Sequence, residues 1–468
     1  MNWAENIKKL RNKMLLIQQE LANLLKVAYV SISRWENGVY EPYNKGQKRI
    51  DEIIKRKRNC GRVATMGGKT KKKITKPLRV FEAFAGIGAQ HSALKRANVN
   101  FEVVGISEWF INALLTYDAI HNNGLENIDI PSYEEQIEYL SKFTFSKDSV
   151  NPIKDIKKLS RNDIENLYIA NKRTKNFGSI TEIKGKDLPR IDLLVYSFPC
   201  QDLSTGGKTM GMSKGSGTRS GLLREIERIL KELKKLNRLP EYLLMENVKT
   251  IYAQSNKKDL EQWLSFLESI GYVNGSHLTL NAIDFGIPQF RNRAFIISHL
   301  NSPVDDSSLI THSKPAPSIR PFLRLNYRNP ILREEANQAQ LNKTISREEM
   351  WAINKREHIE DSTTINTITC NMDRSNTAAM FKYKGPKGNT YRLPTIREAF
   401  LLMGFTEEEY IKTLRLGLSY RKMNKLIGNS IVVNVLTEIF TLLFKEKYGK
   451  GEWDAQNHFT YWYEIFIL

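Results

Sequence analysis

Three short polar blocks, each beside an apolar run, carry the residue types of a nucleophilic reaction. Ile191-Asp192-Leu193-Leu194-Val195 leads into Tyr196-Ser197-Phe198-Pro199-Cys200-Gln201, which delivers a thiol where a strand ends. In open α/β sheets ligands bind outside the carboxyl ends of the strands. A cysteine leaving such an edge into the Ser/Thr/Gly-rich stretch 204–221 is therefore placed to react. Tyr242-Leu243-Leu244-Met245 ends in Glu246-Asn247-Val248, and its carboxyl group can give or take a proton. Gln289-Phe290-Arg291-Asn292-Arg293 precedes Ala294-Phe295-Ile296-Ile297 and supplies two guanidinium groups able to stabilise negative charge. Each block has an ordinary explanation on its own: a buried free cysteine, a helix-capping glutamate, surface arginines. All three in one chain favour chemistry.

Upstream, Leu78-Arg79-Val80-Phe81 runs into Phe84-Ala85-Gly86-Ile87-Gly88, a glycine turn opening a helix. Gly86 and Gly88 let the backbone turn tightly beside a ligand, and Phe84 can stack on an adenine ring. The next strand, Glu102-Val103-Val104-Gly105-Ile106, ends in Ser107-Glu108-Trp109, which puts a carboxylate at the strand tip for two ribose hydroxyls. With a late Gly428-Asn429-Ser430-Ile431-Val432, five blocks stand in fixed order over residues 78–433. Together they resemble the DNA (cytosine-5) methyltransferase family. Phe81 to Ala89 and Gly215 to Leu223 are most similar to the bacterial branch that includes the mollicute CG methyltransferases.

The resemblance implies an α/β fold with a Rossmann-like methyltransferase sheet, a smaller target-recognition domain, and DNA (cytosine-5-)-methyltransferase activity. It implies Cys200 as the nucleophile that adds to carbon 6 of a flipped-out cytosine, with Glu246 relieving the charge at ring nitrogen 3. Arg291 and Arg293 become the electrostatic partners. One serves the base carbonyl and the other the glutamate or the thiolate loop, with nothing to say which does which. The cofactor is S-adenosyl-L-methionine, held by Phe84, Gly86, Gly88, Glu108, Trp109, Ile180, Pro199, Asn429 and Ser430. Similar proteins often carry Asp before the isoleucine at 180, where this chain has Ser179. Ser204 and Arg219, in the segment that resembles the loop closing over the base, and Thr367, Thr369 and Arg374 in the variable segment are the expected DNA contacts. A homologous tRNA cytosine-5 methyltransferase, and a DNA-binding repressor with an inert catalytic half, are the two competing readings.

Residues 1–58 form a polar, helix-rich unit whose apolar face is carried by Leu10, Leu15, Leu21, Leu24 and Leu25. Gln18 to Val27 followed by Ser31 to Gly38 resembles the helix-turn-helix of phage repressors. That implies an all-α DNA-binding domain whose second helix, from near Ala28 to before Gly38, enters the major groove. Gln18, Tyr29, Ser31 and Arg34 would make the contacts, as a dimer on a two-fold site. Ten Lys and Arg residues lie between Lys55 and Lys76 without one acid. This basic linker is suited to phosphates, which add affinity without sequence information.

The whole chain agrees: 71 Lys+Arg against 51 Asp+Glu leave a net charge of +20 over 468 residues, so a polyanion is the expected partner. No stretch approaches the ~18 consecutive apolar residues of a membrane span, which favours duplex DNA over a membrane. Cys60, Cys200 and Cys370 are too few and scattered for a disulfide framework or a zinc site, and the histidines lack ligand spacing, so no metal is expected. The absence of an apolar leader points to the cytoplasm. The expected division is helix-turn-helix domain 1–58, basic linker 59–76, catalytic domain 77–300, recognition domain 301–395, a return to the catalytic domain over 396–450, and an aromatic tail 451–468 docking on the core. Residues 124–176 read as a charged insertion. The expected assembly is a monomer on its methylation site, with a restriction endonuclease acting on the same sequence.

Overall fold

The computed structural model describes residues 7, 29–36, 41–42, 47, 76–122, 128–199, 219–316, 318–341, 344–353, 362–372, 379–387 and 391–449. Cys200, Gln18, Ser204, Arg374, most of the linker, the internal Met66 and the aromatic tail lie outside the described residues. The chain divides into two compact units, Met1–Ile74 and Thr75–Leu468. In the first, helix α1 (Tyr29–Glu36) occupies the place expected for the second helix of the motif. Ile32 and Trp35, one turn apart, are buried on one face of α1, while Arg34 is exposed.

The larger unit is built on a seven-stranded sheet. In chain order its elements are β1 (Leu78–Ala83), α2 (Ala89–Arg96), β2 (Phe101–Ser107), α3 (Ile111–His121), α4 (Tyr133–Leu140), α5 (Arg161–Arg173), β3 (Leu193–Tyr196) and α6 (Leu223–Lys235). There follow β4 (Tyr242–Val248), α7 (Lys257–Ser269), β5 (Tyr272–Asn274), β6 (Leu278–Asn281) and β7 (Asn292–Leu300). The strand order is β2-β1-β3-β4-β7-β5, with β6 also on β7. The first four strands are parallel, whereas β7 runs antiparallel to β4 and to β5 and β6. The chain leaves β1 toward β2 on one side and toward β3 on the other, so a topological switch point falls between β1 and β3. Ligands bind at such a point.

The strands are apolar on both faces because helices cover both. Val80, Val195, Leu244, Phe295 and Ile297 belong to one buried cluster, and the alternate residues Phe81, Leu194, Tyr196, Leu243, Met245 and Ile296 to a second. The second cluster is completed by Ile226, Ile229, Leu230 and Leu233 of α6 and by Trp263 and Leu267 of α7. The described part of residues 124–176, a stretch that read in sequence only as a charged insertion, packs α5 on α3 and α4 on α5 around a third cluster that includes Leu114, Leu140, Phe145, Ile164 and Leu167.

The rest of the chain closes the first face. It contributes α8 (Pro330–Ala339), α9 (Ile345–Ile353), a two-strand ribbon of β8 (Phe381–Lys382) and β9 (Tyr391–Arg392), then α10 (Ile396–Leu402), α11 (Glu407–Thr413), α12 (Tyr420–Gly428) and α13 (Val433–Tyr448). Ile319, Phe322, Ile365, Ile368, Phe381 and Leu393 share one cluster with α10, α12, α13 and the sheet. A buried charge network joins these parts. Arg392 makes two hydrogen bonds to Glu398 at 2.7 and 2.9 Å with neither side chain exposed, and Arg397 pairs with Glu335 at 2.8 Å. Tyr420–Tyr448 has the length and hydropathy of a membrane span, but α12 and α13 are separate helices there and most of the apolar window is packed inside the protein.

Candidate active site

The carboxyl ends of β1 to β4 lie side by side; β1 runs into the glycine turn, and β2, β3 and β4 bring polar residues of the blocks read from the sequence to the same edge. Ser197 leaves β3 and Glu246 lies near the end of β4, one residue beyond the pair Tyr196 and Met245, which face each other across the two strands. Ser197 Oγ donates to Glu246 Oε2 at 2.6 Å. Because β7 is antiparallel, its first residues return to this same edge, with Arg293 opposite Val248. Arg293 Nε lies 3.4 Å from Glu246 Oε1. Glu246 is thus 5% exposed, one oxygen beside a hydroxyl and the other beside a guanidinium. Asn247 Nδ2 donates to the Phe198 carbonyl at 3.1 Å and so ties β4 to the segment that runs through half-buried Pro199 toward Cys200.

The glycine turn carries left-handed backbone at alternate residues, Phe84 (φ 57°), Gly86 (58°) and Gly88 (80°). The two glycines are not equivalent. A Cβ on Gly86 would meet no atom within 4 Å, so the outer face of the turn is open to a ligand. A Cβ on Gly88 would collide with His121 and lie 2.8 Å from Tyr117 Cε2, so that glycine serves the packing of the turn on α3. Glu108, at the tip of β2, accepts from Gly86 N (2.9 Å) on Oε2 and from Phe110 N (2.7 Å) on Oε1. Burial pushes its carboxyl up to about 7, against the lowering effect of backbone N–H groups of Phe110, Gly86 and Trp109. Near neutral pH it can therefore both accept from and donate to hydroxyls.

Asn176, just beyond α5, holds this tip in place. Its Oδ1 accepts from Glu108 N (2.9 Å) and Gly178 N (3.1 Å), and its Nδ2 donates to the Glu108 carbonyl (2.9 Å). One side chain thus fixes both the backbone of the strand tip that bears the carboxylate and the 178–180 turn that ends in buried Ile180. Ser179 bonds locally to Thr181 Oγ1 at 2.8 Å. Phe84 and Trp109 are half-buried beside these loops and can present ring surface to a ligand.

Arg291 and Arg293 have different surroundings. Arg291 is 3% exposed and donates to the carbonyls of Ile368 (2.7 Å), Gly428 (3.0 Å) and Ser430 (2.7 Å). It clamps the Gly-Asn-Ser turn to the variable segment, whereas Arg293 is the arginine beside the glutamate. Gln289, fully buried, completes the clamp by donating to the Leu402 carbonyl (2.7 Å) and accepting from Ile368 N (2.9 Å). Gly428 allows it: a Cβ there would lie 2.6 Å from Cys370 Cα. Thr367 bonds the Phe290 carbonyl, Thr369 is half-buried, and Phe290 is 56% exposed between buried Gln289 and Arg291. Asn429 is exposed and Ser430 buried at the same turn.

Sequence reading missed Ser197, Asn176 and the clamp formed by Gln289 and Arg291. For Ser197 a signal existed, since it is the polar residue between β3 and the Pro-Cys step. Asn176 gave none, standing at the end of what read as an insertion. Ser31 is half-buried on α1. Tyr29 lies in α1 and Arg219 opens a 3-10 turn.

A doubly wound sheet with a glycine turn after β1, an acid at the tip of β2 and a second acid on β4 has the form of a Rossmann-like methyltransferase. Residues 156–445 match the family model described as C-5 cytosine-specific DNA methylase, and residues 7–42 match a helix-turn-helix model. The chain belongs to the C-5 cytosine-specific DNA methylase family, and it is an enzyme of the DNA (cytosine-5-)-methyltransferase class with an N-terminal helix-turn-helix. Over 239 residues it is 48% identical to the orphan methyltransferase M.SssI of Spiroplasma monobiae, covering 49% of this chain and 61% of that relative. Over 374 residues it is 37% identical to the type II methyltransferase M2.ScrFI of Lactococcus lactis subsp. cremoris, covering 79% of this chain and all of that relative. The Dnmt2 methyltransferase of S. pombe has the same fold, with TM-score 0.53 and 19% identity over 79% of this chain and 98% of that one.

Proposed function

We propose that the protein transfers a methyl group to carbon 5 of a cytosine flipped out of duplex DNA at a defined sequence, as the modification half of a restriction-modification system. Its methyl donor is S-adenosyl-L-methionine and its place of action is the cytoplasm. The observation that carries this reading is the convergence of Glu246, Ser197 and Arg293 beside the Pro199 approach to Cys200, on the sheet edge that also holds the glycine turn. The open face of Gly86, the Glu108 carboxyl, Phe84, Trp109 and Ile180 fit an adenosine bound across the switch point, with Asn429 and Ser430 on the turn that Arg291 clamps. When bound, the cofactor supplies an electrophilic methyl group.

The protein's own residues prepare the base. Carbon 5 of cytosine is too weak a nucleophile to take the methyl group directly. Addition of the Cys200 thiolate to carbon 6 makes carbon 5 enamine-like and splits one hard step into two. Charge that develops on the ring is met at nitrogen 3 by the Glu246 carboxyl, with Arg293 holding that carboxyl. The base must leave the stack first, at a cost of a few kcal/mol. Thr367, Thr369 and the segment around them, pinned by Gln289 and Arg291, serve recognition of the flanking sequence together with Ser204, Arg219 and Arg374. The first unit, through Gln18, Tyr29, Ser31 and Arg34, binds an operator as a dimer and regulates transcription.

Labelled methyl transfer to defined duplexes, with bisulfite sequencing of host DNA, tests the reading. Cys200→Ala should abolish transfer while specific DNA binding persists, because recognition and flipping do not need the sulfur. Turnover in that variant removes Cys200 as nucleophile, and transfer to tRNA in place of duplex DNA removes the substrate assignment.

A further inference from the structure

Strand register brings an unassigned hydroxyl to the catalytic carboxyl. Tyr196 of β3 faces Met245 of β4, so the residues that follow, Ser197 and Glu246, are neighbours at the sheet edge. Ser197 Oγ donates to Oε2 at 2.6 Å, and Arg293 Nε faces Oε1 at 3.4 Å. These are the hydrogen-bond and ion-pair partners of Glu246 among the described residues, one from the end of β3 and one from β7.

The two partners differ in what they can do. A guanidinium only donates, so it serves the ionised carboxylate; a hydroxyl both donates and accepts. Ser197 donates to Oε2 when Glu246 is ionised, and by turning about its Cβ–Oγ bond it accepts when that oxygen carries a proton. The carboxyl can then change charge without changing place.

We infer that Ser197 is a positioning residue for Glu246, holding its carboxyl in one orientation through both protonation states of the methyl-transfer cycle. The inference rests on the reading of Glu246 as the acid that meets the base. As the Cys200 sulfur bonds to carbon 6, the carbon 5–carbon 6 π pair moves to form a carbon 4–carbon 5 double bond, and the carbon 4–nitrogen 3 π pair moves onto nitrogen 3. That nitrogen takes the proton from Glu246, and the Ser197 hydroxyl turns to donate to the carboxylate so formed. Once carbon 5 has used the carbon 4–carbon 5 pair to take the methyl group, water removes the carbon 5 proton. The freed pair forms the carbon 5–carbon 6 double bond as the carbon 6–sulfur bond breaks to release the thiolate, and nitrogen 3 gives its proton back to Glu246.

The test compares the full chain with Ser197→Ala, Ser197→Thr and Glu246→Gln, measuring methyl transfer to a duplex as a function of pH together with thermal midpoints. In Ser197→Ala, kcat should fall about tenfold, the effect of losing one hydrogen bond to a charged group, with KM for DNA and for the methyl donor unchanged. Loss of a donor to the ionised form disfavours that form, so the limb of the pH profile that reports Glu246 should move to higher pH. Ser197→Thr, which keeps the hydroxyl, should restore both rate and limb. Wild-type kcat with an unmoved limb in Ser197→Ala overturns the inference, as does a Ser197→Thr variant that melts normally yet behaves like Ser197→Ala. Glu246→Gln separates the two levels. If it turns over normally, the role of Glu246 falls and Ser197's with it; if it is inactive while Ser197→Ala is normal, only the role of Ser197 falls.

Discussion

Glu82 shows how far one residue can depart from its behaviour in water. It lies on β1 with no exposed surface, and burial pushes its carboxyl up to about 8, an effect only partly offset by the Tyr117 hydroxyl. Between the ordinary value of 4.5 and about 8 the folded protein therefore holds a proton that the unfolded chain has lost. The sign follows: the folded state binds more protons in that window, so this group's contribution is fully present below 4.5 and is lost as pH rises through about 8. Glu82→Gln removes the titration. Urea unfolding of variant and wild type should show the difference in stability moving in the variant's favour from pH 4 to pH 8, by on the order of a few kcal/mol. A difference that stays constant with pH means the carboxyl titrates as it does in water.

Among the elements, the turn between β1 and α2 carries two glycines for two reasons, and substitution separates them. Gly86→Ala places a methyl group where no atom lies within 4 Å, in left-handed backbone that disfavours alanine by ~1 kcal/mol. It should melt close to wild type yet bind the methyl donor at least about tenfold more weakly, since the new methyl stands on the ligand side of the turn. Gly88→Ala pays the same backbone strain and also drives a methyl group into Tyr117 and His121. It should lose stability by roughly 2–4 kcal/mol. Thermal unfolding with calorimetric titration of S-adenosyl-L-methionine distinguishes the two, and equal behaviour of both variants contradicts the separation.

For the molecule as a whole, the division into Met1–Ile74 and Thr75–Leu468 sets a test of what each unit does. Every block of the catalytic edge lies in the second unit. A chain started at Met66 should still methylate DNA but no longer repress a reporter under its own promoter, and Arg34→Ala in the full chain should release repression while methylation persists. Such a truncation keeps Lys69, Lys71, Lys72, Lys73 and Lys76 but loses Lys55, Arg56, Lys57, Arg58 and Arg62, so its DNA affinity should also depend less steeply on salt. Repression by the shortened chain, or loss of methylation at low salt with saturating cofactor, contradicts this division of labour.

The blocks were legible because each is local. An apolar run ending in a polar or glycine tip reads as a strand with a loop beyond it, and that alone puts Glu108, Ser197 and Glu246 at carboxyl ends. Which side chains then meet depends on strand direction and register, which no short window contains. The antiparallel course of β7 brings Arg293 to Glu246, and the bend before it sends Arg291 into the carbonyls of Ile368, Gly428 and Ser430. Asn176 reaches Glu108 across 68 positions of sequence because α5 packs on α3, a consequence of apolar burial between distant segments. Residue types and their order declare the chemistry; long-range pairing and packing choose the partner of each reactive group, because those contacts close over distances that local periodicity cannot encode.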